Sequence, residues 1–133
     1  MSENNSLKKN VLDEFVVEVV NIKNYKEKVI YVGRGSVLGN PFYHQFSKYN
    51  IVKVTNRQEA ILKYKEWILD KIKYNTPQRW AINECVQKLI STKKIILGCF
   101  CKPQCCHADF LAEIILKEAY ESAKKLKEFF SDD

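Results

Sequence analysis

The chain has 133 residues, 46% apolar and 29% charged, with a formal net charge of +6. These values fit one globular domain able to bury its own core, and they exclude a disordered or collagen-like chain. No run approaches the roughly 18 consecutive apolar residues of a membrane span. Met1 to Asn10 carries no apolar stretch of the secretory kind, so the expected setting is the cytoplasm with reduced cysteines. Five cysteines, an odd number, also argue against a fully paired disulfide framework.

In chain order, residues 1–12 read as a flexible polar tail and 13–133 as a single domain. Phe15 to Ile22 is rich in β-branched residues and predicts a buried strand. A charged turn, Asn24 to Lys28, leads to a second strand over Val29 to Val32, halted by Gly33-Arg34-Gly35. Residues 36–54 read as a loop, because Pro41 blocks an early helix. A helix is predicted from Arg57 to Ile72, capped by Thr55 with Gln58 or by Asn56 with Glu59. Its apolar stripe is Ile61, Tyr64, Ile68 and Ile72. A second helix begins at Pro77 behind Thr76, with the stripe Ile82, Cys85, Val86 and Leu89. Lys94 to Cys99 predicts a third strand of the covered, parallel type. The last helix spans Ala108 to Phe130, with Leu111, Ile115, Ala119, Ala123, Leu126 and Phe130 in register. This order predicts an α/β fold: a single three-layer, Rossmann-like domain with a small, mostly parallel sheet flanked by helices.

The rare residues are not scattered. All four glycines are Gly33, Gly35, Gly39 and Gly98; both histidines (His44, His107) and Cys99, Cys101, Cys105 and Cys106 fall in or beside the same two segments. Each segment leaves the carboxyl end of a predicted strand, where ligands bind in open parallel sheets. The first lacks the dinucleotide pattern, since Gly33, Gly35 and Gly39 make G-x-G-x-x-x-G and Asn40-Pro41 follows at once. It also has no Walker lysine. What remains is a loop able to turn backbone N–H groups toward an anion, with Arg34 offering a cationic fork. The candidate ligand-binding residues are therefore Gly33, Arg34, Gly35, Ser36, Gly39, Asn40, Cys99 and Cys101. Tight turns required by the fold, with Arg34 holding the chain together, would use the same residues.

The second segment supports three readings. Cys106 and His107 stand at the entrance of the last helix beside Asp109, and a helix N-terminus favours a thiolate. If chemistry occurs, Cys106 is the nucleophile, with His107 or Asp109 as acid or base. Alternatively, Cys99, Cys101, Cys106 and His107 form a zinc set. Strand neighbours two apart lie about 7 Å apart along the chain, which is wide for two sulfurs each about 2.3 Å from one zinc. No cofactor is therefore expected, with zinc as the alternative. The third reading is small apolar packing at a strand end. Cys85, on a helical stripe, reads as structural.

Taken together, Val29-Ile30-Tyr31-Val32-Gly33-Arg34-Gly35-Ser36, Gly39-Asn40-Pro41-Phe42, Arg57, Lys63-Tyr64, Trp67 and Leu97-Gly98-Cys99-Phe100-Cys101 followed by Pro103, Cys106-His107-Ala108-Asp109 and Leu111 resemble the domain of unknown function 4326 family over about residues 17–116. That family commonly has Trp where Phe100 stands and Gly where Ala108 stands. The second motif is also similar to a Cys-His signature of the domain of unknown function 488 family. The resemblance carries no established activity. Its frequent phage setting implies nucleotide or nucleic-acid metabolism, or interference with host defence, in the host cytoplasm if the gene is viral.

The expected function is binding, and processing if the Cys-His segment is reactive, of a small phosphorylated or nucleobase-like ligand where loop 33–42 meets segment 98–109. A non-catalytic zinc-dependent binding module is the first alternative and a basic nucleic-acid-binding protein the second. Through Lys94 there are 17 basic and 9 acidic residues, against 5 and 7 afterwards. This asymmetry favours an anionic small molecule, a nucleotide or nucleic acid as partner over a membrane. Nothing in the pattern fixes an oligomeric state.

Overall fold

The computed structural model describes residues 14–25, 28–43, 52–53, 56–100 and 107–130. Among the described residues five strands and three α-helices follow in the order β1 (Val16–Asn21), β2 (Ile30–Tyr31), β3 (Phe42–Tyr43), β4 (Val52–Lys53), α1 (Arg57–Lys71), α2 (Pro77–Thr92), β5 (Lys94–Cys99) and α3 (His107–Phe130). A 3-10 turn, Ile22–Asn24, takes the end of the expected first strand and the first residue of the charged turn. The main sheet is β1-β5-β2, all parallel, with the last strand of the chain at its centre. The carboxyl ends of all three strands, at Asn21, Tyr31 and Cys99, therefore lie together. β2 is shorter than expected, although Val32 N still donates to Gly98 O at 2.9 Å. β3 and β4 form a separate parallel pair where a loop was expected.

Register divides the sheet into two unlike faces. Val17, Val19, Ile30, Ile95, Leu97 and Cys99 belong to the core or pack against it. The alternate positions carry the exposed Tyr31 and the solvent-exposed Glu18–Lys94 pair, 3.4 Å apart. Helices α2 and α3 pack on each other and over the apolar face, while α1 packs against both helices and β3. The described residues thus form a small α/β domain, an open three-stranded parallel sheet with helices packed over its apolar face. No helix there is long and apolar enough to cross a membrane.

The helices start where side chains can satisfy their first N–H groups. Asn56 accepts from Glu59 N at 2.9 Å, and Thr76 accepts from Arg79 N at 3.0 Å with Pro77 at the first helical position. On α1 the buried residues are Ala60, Tyr64 and Ile68; Ile61 and Ile72, expected in the stripe, are only partly buried. On α2 the buried set is the expected one, Ile82, Cys85, Val86 and Leu89. On α3 burial holds through Ala119 and then stops: Leu126 is 51% exposed and Phe130 74%. The apolar period continues beyond the end of the body it packs on. Arg79 clamps the three helices, donating to Ile72 O at 3.0 Å and to Asn83 at 3.1 Å and pairing with Glu118 on α3.

Candidate functional site

Loop 33–42 leaves β2 through two successive turns. Ser36 N donates to Gly33 O at 3.1 Å, and Gly39 N donates to Ser36 O at 2.9 Å. Gly35 has φ 93°, a left-handed conformation that side chains disfavour. Gly39 is required for a different reason. A Cβ there would stand 3.0 Å from Arg34 Cα and overlap the Gly33 carbonyl oxygen, because the two turns fold onto one another. At Gly98 an added Cβ would meet Val29 Cγ2 at 3.0 Å. The close approaches these glycines permit are thus contacts within the protein.

The loop is held by polar side chains. Arg34 Nη1 donates to the carbonyls of Asn40 and Phe42 at 2.5 and 2.6 Å. Asn40, only 4% exposed, donates to Ala60 O at 3.1 Å and accepts from Phe42 N at 2.9 Å. The fully buried Tyr64 donates its hydroxyl to Leu38 O at 2.6 Å. Tyr31 OH donates to Arg34 O at 2.8 Å, and Ser36 Oγ donates to Gly33 O at 2.6 Å. A cationic fork on two carbonyls makes strong, directional bonds. Arg34 therefore acts as a brace of its own loop, and the Ser36 and Gly39 N–H groups turn inward. The shape of the loop is thus fixed by bonds within the protein.

The second segment meets the loop at His107. This residue opens α3, is buried, and places Nε2 2.6 Å from Val32 O, the residue that precedes Gly33. A carbonyl oxygen only accepts, so Nε2 carries the proton in this contact. Its ring also stands against Tyr64 with centroids 4.9 Å apart. One imidazole thus ties the first residue of α3 to the residue that precedes loop 33–42. Cys99 is fully buried in the core. Asp109 is partly exposed in the first turn of α3, where negative charge suits the helix dipole. Cys101, Cys105, Cys106 and His44 lie outside the described residues, and with them the candidate nucleophile and two of the four residues of the zinc alternative. Among the described residues no three His, Cys, Asp or Glu side chains gather as a metal group.

Two further residues belong to this end of the sheet. Tyr31, closing β2, and Phe100, following β5, set their rings edge-on with centroids 6.0 Å apart. Both are exposed, Tyr31 by 38% and Phe100 by 56%. Asn21, closing β1, donates to Phe100 O at 3.4 Å. Sequence reasoning passed over this pair because an aromatic next to a strand end reads as core. On the other side of Tyr31 a cavity of about 360 Å³ opens between the loop and α2, lined by Ser36, Val37, Leu38, Glu84, Cys85 and Lys88 among others. Burial, with Glu84 adding to it and Lys88 opposing, pushes the Cys85 thiol up to about 11. It stays protonated at neutral pH and forms apolar lining.

The family model described as domain of unknown function 4326 matches residues 19–117, from β1 into α3 and across both motif segments. The chain belongs to that family. No curated protein and no solved structure matches it. The matched span holds the whole polar framework around the loop and ends before the exposed part of α3 begins.

Proposed function

We propose that this domain binds a small phosphorylated ligand bearing a nucleobase or similar flat ring at the carboxyl end of the sheet. The observation that carries the reading is the exposed Tyr31–Phe100 pair beside a braced loop and a cavity of about 360 Å³. Two adjacent aromatic rings left in water gain nothing there, whereas a flat ring stacked on them gains about 1–3 kcal/mol. The cavity falls within the usual size of small-ligand sites and mixes apolar walls with a few polar groups. Lys88 supplies a cation on its rim for the anionic part. Arg34 works on the ligand indirectly, by fixing the wall that meets it. Whether a bound ligand is then transformed rests on Cys106, His107 and Asp109, with Cys106 as nucleophile.

The test is a thermal-shift and calorimetric series with nucleoside monophosphates, ribose 5-phosphate and inorganic phosphate. A ligand that binds only the folded chain raises its melting temperature in proportion to its affinity. Nucleoside monophosphates should raise it and inorganic phosphate should not. Phe100→Ala, at an exposed position, should leave the melt of the unliganded protein unchanged and weaken binding by about 1–3 kcal/mol. Equal binding by Phe100→Ala, or no shift with any nucleotide, overturns the reading.

A further inference from the structure

A second cavity, of about 330 Å³, adjoins the first. The two share Ile30 and Lys88, so together they form one trough along β2, the edge strand of the sheet, and the neighbouring face of α2. Its far end is floored by Val29, Ile30 and Ile95 and ringed by Lys28, Lys88 and Lys94. All three lysines are exposed. Lys94 has Glu18 at 3.4 Å, but that pair is open to solvent on both sides and weakly held. The acidic residue in the lining of the whole trough is Glu84. From the Tyr31 ring outward, then, the groups met are an aromatic face, one ammonium, and two more ammonium groups over an apolar floor.

An aromatic platform followed by spaced cations is the arrangement that seats a single strand of nucleic acid, bases on rings and phosphates on lysines. A mononucleotide would use only the near end and leave Lys28 and Lys94 without a role. We infer that the trough along β2 accommodates a short single-stranded oligonucleotide, with a base at Tyr31, one phosphate at Lys88 and the next at Lys28 and Lys94. This inference rests on the site reading above and extends it from a single nucleotide to a strand. The surplus of basic over acidic residues through Lys94, 17 against 9, has the sign such a partner needs.

The experiment is fluorescence anisotropy of labelled short oligothymidylate and oligoadenylate with the full chain over a range of KCl concentrations. Each phosphate neutralised contributes about −0.7 to the slope of log K against log salt for a single strand. Lys88→Gln should reduce that slope by about 0.7, and Lys28→Gln combined with Lys94→Gln by about 0.7 together. Lys124→Gln with Lys125→Gln, on the exposed end of α3, should leave it unchanged. Melting curves of each variant establish that the fold is kept. A slope that falls equally for Lys124 and Lys125, displacement by an acidic peptide at equal charge, or absence of oligonucleotide binding each overturns the inference. If mononucleotides still bind and depend on Phe100, only the extension along the strand has failed. If they do not, the site reading has failed with it.

Discussion

Loop 33–42 and helix α3 are held by different balances of polar bonds and burial. The loop sends Leu38 into the core and packs Phe42 against it, but its course is fixed by Asn40, Tyr64, Arg34 and His107, each aimed at a backbone group. The first half of α3 is held chiefly by burial, with Leu111, Ile115 and Ala119 fully enclosed and His107 and Glu118 adding polar ties, while Leu126, Phe129 and Phe130 in its last turns stay exposed. Directional bonds give one shape and are lost as a set, whereas burial is graded and tolerant. A loop whose course must be fixed is better served by the first, and a helix that packs as a wall by the second.

The contrast can be broken at either end. Ile115→Ala removes a fully enclosed side chain and should cost about 2–5 kcal/mol in urea unfolding. Asn40→Ala deletes two bonds of a buried amide and strands the Phe42 N–H, for about 2–4 kcal/mol. The sharper test is a cycle with Tyr64→Phe. Because both residues hold one loop, the double variant should depart from additivity by about 0.5–3 kcal/mol. Strict additivity would show that the loop is not a unit. Beneath it, Cys85 supplies a probe in pH. Its thiol is pushed up to about 11 from 9.0, chiefly by burial, so its contribution is intact below about pH 9 and lost as pH rises through about 11. The loss should be about 2 kcal/mol in wild type. Repeating the titration with Cys85→Ala should remove that component while other groups titrate as before. Leu126→Ala lies at the weak end and should change stability by less than about 0.5 kcal/mol.

Much of the frame is written in local pattern. Lys94–Cys99 could be bounded to the residue because an unbroken apolar run ends at a glycine and a cysteine. Pro77 behind Thr76 marked the start of α2, since the cap and the ring act on immediate neighbours. Where placement depends on distant partners, the pattern falls short. Ile61 and Ala60 are equally consistent with a helical stripe; the close approach of Asn40 to Ala60 O decides for the smaller residue. The β3–β4 pair consists of two-residue strands, too short to show alternation. Leu126 and Phe130 keep the period of α3 but outrun what it packs on. The clustering of glycine, cysteine and histidine falls at the carboxyl end of the sheet, where Val32 O meets His107. The brace role of Arg34 was only one of two readings, because its partners are carbonyl groups that every residue has.

The central position of β5 also governs how the molecule can be made. β1 and β2 do not touch each other as strands; both wait for Lys94–Cys99, and Val16 pairs with Lys94, 78 positions later. At about 5–20 residues per second of synthesis, 78 residues take about 4–16 s, during which the first strand has no partner in its sheet. Nascent β1, apolar on one side, must therefore stay in solution or be shielded until the final third of the chain emerges. The sheet then closes around its last-made strand in one event, and α3 can settle only after that.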